Sequence, residues 1–136
     1  CLATDAASIG MTEGVHGSTY GGNPLAVSVG KKVLEIILKN DFLKTVNDIS
    51  NYFWNELIKL KEKHNEIIEI RGAGLLIGIK TKKKNTEINL DFKKNRLLSV
   101  VANDNVIRLA PPLIVTKEEI DKAISIIDKT FEENND

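Results

Sequence analysis

Apolar residues recur at helical spacing up to Lys63, at strand spacing from Ile67, and at helical spacing again after Thr116. That double change of period constrains the fold more than any other feature. Asn23-Pro24 opens the first helical stretch, because an Asn side chain caps free N–H groups and proline at the first helical position loses no hydrogen bond. Leu25, Val29, Val33 and Ile36 then fall on one face, predicting a helix from Pro24 to about Leu38. Asn40-Asp41 interrupts and re-caps, and Leu43, Val46, Ile49, Phe53, Leu57 and Leu60 carry a second helix to Lys63, with Trp54 at the edge of its core face. Lys59, Lys61, Glu62 and Lys63 read as a solvated face.

The strand-like part begins with Ile67–Ile70 and Leu75–Thr81, joined by a turn at Arg71-Gly72-Ala73-Gly74. Lys82–Thr86 has no apolar member and is expected to be an exposed loop. Residues 87–96 fit a short helix as well as a loop. Leu97–Val101 and Asn105–Leu109 are strand-like around the turn cluster Asn103-Asp104-Asn105, and Ala110-Pro111-Pro112 ends the second of them. Thr116-Lys117-Glu118-Glu119 is a capping box that starts a last helix running to about Phe131, followed by a polar tail from Glu132 to Asp136. Residues 1–22 hold five of the nine glycines and no Lys or Arg, which reads as a glycine-rich loop, with Cys1–Thr4 fitting the end of a buried strand. Two helices, about four short strands and a helix make an α+β unit whose mainly antiparallel sheet is covered by helices on one face.

A chain of 136 residues supports one sizeable core. Nineteen Lys plus Arg balance nineteen Asp plus Glu, so there is no electrostatic footprint for nucleic acid or an anionic membrane. A single cysteine excludes an internal disulfide framework and fits a reducing, cytoplasmic compartment. No apolar run approaches the roughly 20 residues of a spanning helix, and the start does not read as a secretory signal. The chain opens on Cys1 and its one Met is Met11, so the natural start is expected upstream.

The densest chemical signal is His16-Gly-Ser-Thr-Tyr-Gly-Gly-Asn-Pro24. Small residues, two hydroxyls and a helix start within nine positions bring N–H and O–H donors and a positive helix end together, an arrangement suited to phosphate. A tight structural turn accounts for the segment equally well. Arg108 sits within the apolar run Val106–Leu109. A buried guanidinium there needs a partner, and its planar fork suits a carboxylate; the plainer reading is an outward-facing residue bonded to a nearby Asp or Glu. Arg71 reads as turn-stabilising. His16 and His64 are far apart and lack metal-ligand spacing, so no metal site is expected, and Cys1 has no activating neighbour.

Three ordered segments, His16–Ala26, Arg71-Gly-Ala-Gly-Leu-Leu-Ile-Gly78 and Val106-Ile-Arg-Leu-Ala-Pro-Pro-Leu113, together with the Cys1-Leu-Ala-Thr4 opening, closely resemble the C-terminal third of class III aminotransferases. These enzymes depend on pyridoxal 5′-phosphate, and the resemblance is strongest to their acetylornithine and ornithine aminotransferase branch. It implies that Thr19 binds the cofactor phosphate from the neighbouring subunit of a homodimer, that Ser18 lies near the substrate, and that Arg108 grips the α-carboxylate of the amino acid or 2-oxo acid. Gly21 and Gly22 would permit close backbone approach at the subunit boundary. No catalytic residue is expected within the chain, because the Schiff-base lysine should lie just before Cys1, so the segment alone should not transaminate. Asn95-Arg96 stands where relatives commonly carry a glycine, and residues 82–96 match the family poorly.

The resemblance further implies the C-terminal part of a fold-type-I transferase: residues 1–40 the end of the large cofactor-binding domain with its connecting helix, and 41–136 the small domain. The reaction implied moves an amino group between N-acetylornithine and 2-oxoglutarate in cytoplasmic arginine biosynthesis. Ornithine, succinyl-diaminopimelate or another ω-amino compound is the alternative donor. A truncated, non-catalytic remnant acting as a binding or dimer-interface module is the alternative of another class.

Overall fold

The computed structural model describes residues 3–133. The chain divides between Lys39 and Asn40 into two units. In the first, Thr4 caps a short helix α1 (Asp5–Ser8), its Oγ1 accepting from the Ala7 N–H at 3.3 Å. This replaces the featureless loop expected there; of the anticipated strand Cys1–Thr4, Cys1 and Leu2 lie outside the described residues. Helix α2 (Pro24–Ile37) starts where the sequence places it, with Asn23 Oδ1 accepting from the Leu25 and Ala26 N–H groups at 3.0 and 3.1 Å. None of its residues is buried, so the stripe of Leu25, Val29 and Val33 stands exposed.

The second unit begins with α3 (Phe42–Lys63), then β1 (Ile67–Ala73) and β2 (Leu76–Thr81), α4 (Asn85–Lys94), β3 (Val100–Ala102), β4 (Val106–Leu109) and α5 (Lys117–Glu133). The strands form one antiparallel sheet in the order β1-β2-β4-β3. Alternation sends Ile77, Ile79, Ile107 and Leu109 to one face, where they meet Phe53 and Leu57 of α3, Phe92 of α4 and Ile127 and Phe131 of α5 in a single core. Each such side chain stabilises the fold by about 2 kcal/mol on burial. Thr116 and Glu119 close the expected capping box, the Thr116 N–H donating to Glu119 Oε2 at 2.9 Å and the Glu119 N–H to Thr116 Oγ1 at 3.2 Å. Asp41 precedes α3 without a side-chain cap, contrary to the re-capping expected of it.

The β1–β2 turn is later and tighter than the sequence suggests. Arg71 and Gly72 remain in β1, opposite Gly78 and Ile77, and Ala73 pairs with Leu76, leaving Gly74-Leu75 as a two-residue turn. Gly74 has φ 56°, Leu75 is buried in the core, and the Trp54 indole N–H donates to the Gly74 carbonyl at 2.8 Å. Arg71 is therefore a strand residue, not a turn residue. Gly72, at φ 141°, is required for a different reason: a Cβ there would lie 2.1 Å from the Leu76 carbonyl oxygen.

Asn85 and Thr86, expected in an exposed loop, form the first turn of α4, and Asn85 is buried. Its Nδ2 donates to the carbonyls of Ala102 and Val106 at 2.8 and 2.9 Å, satisfying groups at the β3–β4 hairpin. β3 starts at Val100, so Leu97–Ser99 approach it as irregular chain. The hairpin turn falls on Asn103-Asp104-Asn105 as expected, with Asp104 and Asn105 at φ 63° and 57°, the left-handed region that Asp and Asn tolerate best.

Candidate functional site

Ser18 and Thr19 belong to the first unit and Arg108 to the second. Around Ser18 the chain makes consecutive turns: the Gly21 N–H donates to Ser18 Oγ at 3.0 Å, and the Asn23 N–H to the Tyr20 carbonyl at 3.2 Å. Asn23 already occupies two N–H groups at the start of α2, so fewer bare donors remain than the glycine-rich motif suggests. What remains is hydroxyl chemistry. Ser18 Oγ still has its proton to donate, and the exposed Thr19 hydroxyl makes no hydrogen bond among the described residues. These groups fit a phosphate oxygen, and the segment is both a turn and a donor set.

Arg108 lies in β4 between Ile107 and Leu109, which point into the core, so its side chain emerges on the opposite face of the sheet, which no helix of the second unit covers. It is exposed, not buried as its apolar neighbours suggest, because strand alternation separates it from them. Its directly paired neighbours are Gly78 on β2 and Val100 on β3. Gly78 in turn pairs with Arg71, so Arg71, Gly78, Arg108 and Val100 form one row across all four strands. Between the two arginines lies a shallow depression of about 440 Å³, floored by Gly78 and Val106.

The charges on this face are unevenly matched. Arg71 Nη1 lies 3.1 Å from Asp104 and 3.7 Å from Glu69, while Lys80 Nζ lies 2.8 Å from Asp104. Hydrogen bonds from Lys80 first and Arg71 second hold the Asp104 carboxyl below the usual carboxylate range. Among the described residues no carboxylate pairs with Arg108. The plainer reading of Arg108, an outward residue bonded to a nearby acid, is thus half met: it faces outward, and its fork remains available to a carboxylate from elsewhere. Arg71, Gly78 and Asp104 escape a reading of the sequence because they meet only through the register of three strands; the spacing of Arg71 and Gly78 about the Gly74-Leu75 turn is the one signal that could have paired two of them.

A second cavity, of about 370 Å³, is lined mainly by apolar groups including Leu97, Leu98 and Pro111. Its acidic member, Glu119, is already engaged in the capping box. Among the described residues no group of three His, Cys, Asp or Glu side chains is placed to hold a metal ion, and no helix is long and apolar enough to cross a membrane.

Comparison with known proteins bears on both units. The model of the class III aminotransferases, enzymes that work with pyridoxal 5′-phosphate, matches residues 2–131. Acetylornithine aminotransferase of Agrobacterium fabrum is 47% identical over 129 residues, covering 94% of this chain and 32% of that protein. The namesake from Clostridium acetobutylicum is 41% identical over 138 residues, covering 96% and 34%. Among solved structures, acetylornithine aminotransferase from Elizabethkingia anophelis superposes with a TM-score of 0.79 at 36% identity, covering 97% of this chain and 36% of that one. Ornithine δ-aminotransferase of Plasmodium falciparum gives 0.81 at 34% identity, covering 97% and 35%. The chain spans about a third of the length of the relatives it matches.

Proposed function

The chain belongs to the class III aminotransferase family, and from that premise we propose that it is the C-terminal segment of an aminotransferase moving an amino group between N-acetylornithine and 2-oxoglutarate. The observation that carries this reading is the outward fork of Arg108, without an acidic partner on a face where Arg71 has one. An always-charged planar donor set, rigidly based on a central strand, binds the α-carboxylate of an amino acid or 2-oxo acid in one orientation. The choice of N-acetylornithine rests on relatives of that name at 41–47% identity. The likeness to the ornithine enzyme supports ornithine as the second candidate donor.

In this reading residues 1–40 end the large cofactor-binding domain and 41–136 form the small domain of a cytoplasmic homodimer serving arginine biosynthesis. The uncovered apolar stripe of α2 supports its packing against parts of a longer chain. Pyridoxal 5′-phosphate, when bound, supplies the electron sink for breaking a bond at the amino-bearing carbon. Thr19 contributes a hydroxyl to its phosphate across the subunit boundary, Ser18 donates toward the substrate, and Arg108 fixes the carboxylate so that this bond is correctly presented. The covalent lysine is supplied by sequence before Cys1, and the 136-residue segment alone is inactive.

The test is glutamate formation from 2-oxoglutarate by the protein made from the full reading frame, with N-acetylornithine, ornithine and succinyl-diaminopimelate compared as donors. N-acetylornithine is expected to give the highest kcat/KM. Turnover with none of them overturns the proposal.

A further inference from the structure

Three cations, Arg71, Lys80 and Arg108, rise from the face of the sheet that no helix of the second unit covers; the carboxylate of Asp104 contacts two of them at 3.1 and 2.8 Å, and Glu69 lies farther from Arg71, at 3.7 Å. The position of Asp104 is built in. It sits at φ 63° in the three-residue β3–β4 turn. The next residue, Asn105, clamps that turn to the rest of the unit, its Nδ2 donating to the Thr81 and Lys83 carbonyls at 2.6 and 2.8 Å and its Oδ1 accepting from the Asn85 N–H at 2.7 Å. Asp104 lies between Ala102 and Val106, the last pair of the hairpin, and Val106 also pairs with Lys80. Its pull on Arg71 is therefore toward the Lys80 end of the face and away from the row of Gly78 and Arg108.

Were Asp104 uncharged, the face would behave differently. Arg71 and Arg108 stand two strands apart, about 10 Å at the backbone. Gly78 puts no side chain between them. Arg71 then keeps only the longer 3.7 Å contact with Glu69, and its guanidinium and that of Arg108, both on long stems, can converge on one anion in the depression they share. A carboxylate held midway would sit off its position beneath Arg108, and the reacting end of the molecule would be displaced with it.

We propose that Asp104 is a positioning residue for substrate recognition: by holding Arg71 and Lys80 in ion pairs it leaves Arg108 as the one cation on this face that receives the substrate carboxylate, and so excludes a second, unproductive register. The inference rests on the reading of Arg108 as the carboxylate ligand. Its kinetic signature differs from structural damage, because unproductive binding lowers kcat and KM together and leaves kcat/KM unchanged, whereas a distorted site loses kcat/KM.

The experiment uses the full-length enzyme and inorganic sulfate as a probe anion. Asp104→Asn is expected to lower both kcat and KM for 2-oxoglutarate by about three- to fivefold, the worth of an exposed ion pair, and to tighten inhibition by sulfate by a similar factor. Asp104→Glu should restore both, and Arg71→Gln in the Asp104→Asn background should abolish the added sulfate inhibition. Arg108→Gln is run alongside. If it raises the KM while Asp104→Asn leaves sulfate inhibition at the wild-type level, the role of Asp104 is overturned and that of Arg108 stands. If Arg108→Gln leaves the KM unchanged, the carboxylate reading falls and this inference falls with it.

Discussion

Arg108 on β4 pairs directly with Gly78 on β2, so its side chain rises beside a residue that adds nothing to the sheet surface. A Cβ at Gly78 would approach Val106 Cγ1 to 2.8 Å and would also narrow the floor beneath the guanidinium. The open side of Arg108 is thus a product of strand register, and it leaves the fork able to meet a carboxylate edge-on.

Arg108→Lys keeps the charge and removes the paired geometry. Losing one of two charge-assisted hydrogen bonds, at about 1.5 kcal/mol, should raise the KM of the full-length enzyme for 2-oxoglutarate roughly tenfold. Steady-state kinetics over a range of 2-oxoglutarate concentrations measure this directly. An unchanged KM removes Arg108 from the site.

Gly72 and Gly74 both have positive φ but should differ in tolerance. Gly74→Ala meets open space and incurs only the left-handed penalty, about 1–2 kcal/mol. Gly72→Ala adds a clash with the Leu76 carbonyl and must open the β1–β2 pairing, costing about 4 kcal/mol. Urea denaturation of the two variants should rank them in this order; equal midpoints would contradict the contact.

The same pair of glycines shows what the sequence could and could not disclose. Helix starts at Asn23-Pro24 and Thr116–Glu119 are legible because each cap is satisfied within three residues of chain. Arg71-Gly72-Ala73-Gly74 reads as a turn because it holds two glycines, yet Gly72 answers to an oxygen on the opposing strand, which local composition cannot reveal. Asn85 looks like loop material until the carbonyls of Ala102 and Val106 come within its reach. At the site, Arg108 announces itself as a charge in an apolar run, whereas its exposure depends on alternation and the pairing of Asp104 with Arg71 on three strands in register. His64, unremarkable in sequence, is buried with its Nε2 2.5 Å from Asp128 Oδ1 and so ties α3 to α5.

Thr19→Ala deletes a hydroxyl that makes no hydrogen bond among the described residues, so the fold should lose little. In the full-length enzyme the loss should fall on the coenzyme. The variant should leave gel filtration with a smaller fraction of pyridoxal 5′-phosphate bound than wild type, by absorbance, while its KM for 2-oxoglutarate changes less than twofold, as expected of a group that holds the coenzyme and not the substrate. Equal occupancy in both proteins would count against the phosphate role.

Asp128 should set part of the acid sensitivity of the second unit. Partial burial pushes its carboxyl up, but hydrogen bonds from Lys63 and His64 outweigh that and hold it below the ordinary value. Lys63 Nζ lies 2.8 Å from both carboxylate oxygens, and Glu132 shares the same ammonium at 2.7 Å. A carboxyl depressed in the folded state contributes stability that is fully present above its unfolded value of about 3.9 and is lost as pH falls through the folded value. Asp128→Asn removes the charge and nearly preserves the shape. It should lower stability at pH 7 by about 1 kcal/mol, discounted for the carboxylate's partial exposure. Because Asp104 is also depressed and titrates in both proteins, the acid limb of wild type alone is not diagnostic and the difference between the two proteins is. Urea unfolding between pH 7 and pH 2 should show that difference shrinking as pH falls below the ordinary carboxylate range and through the depressed folded value. A gap that persists undiminished at pH 2 would mean that Asp128 acts through packing and not through its charge.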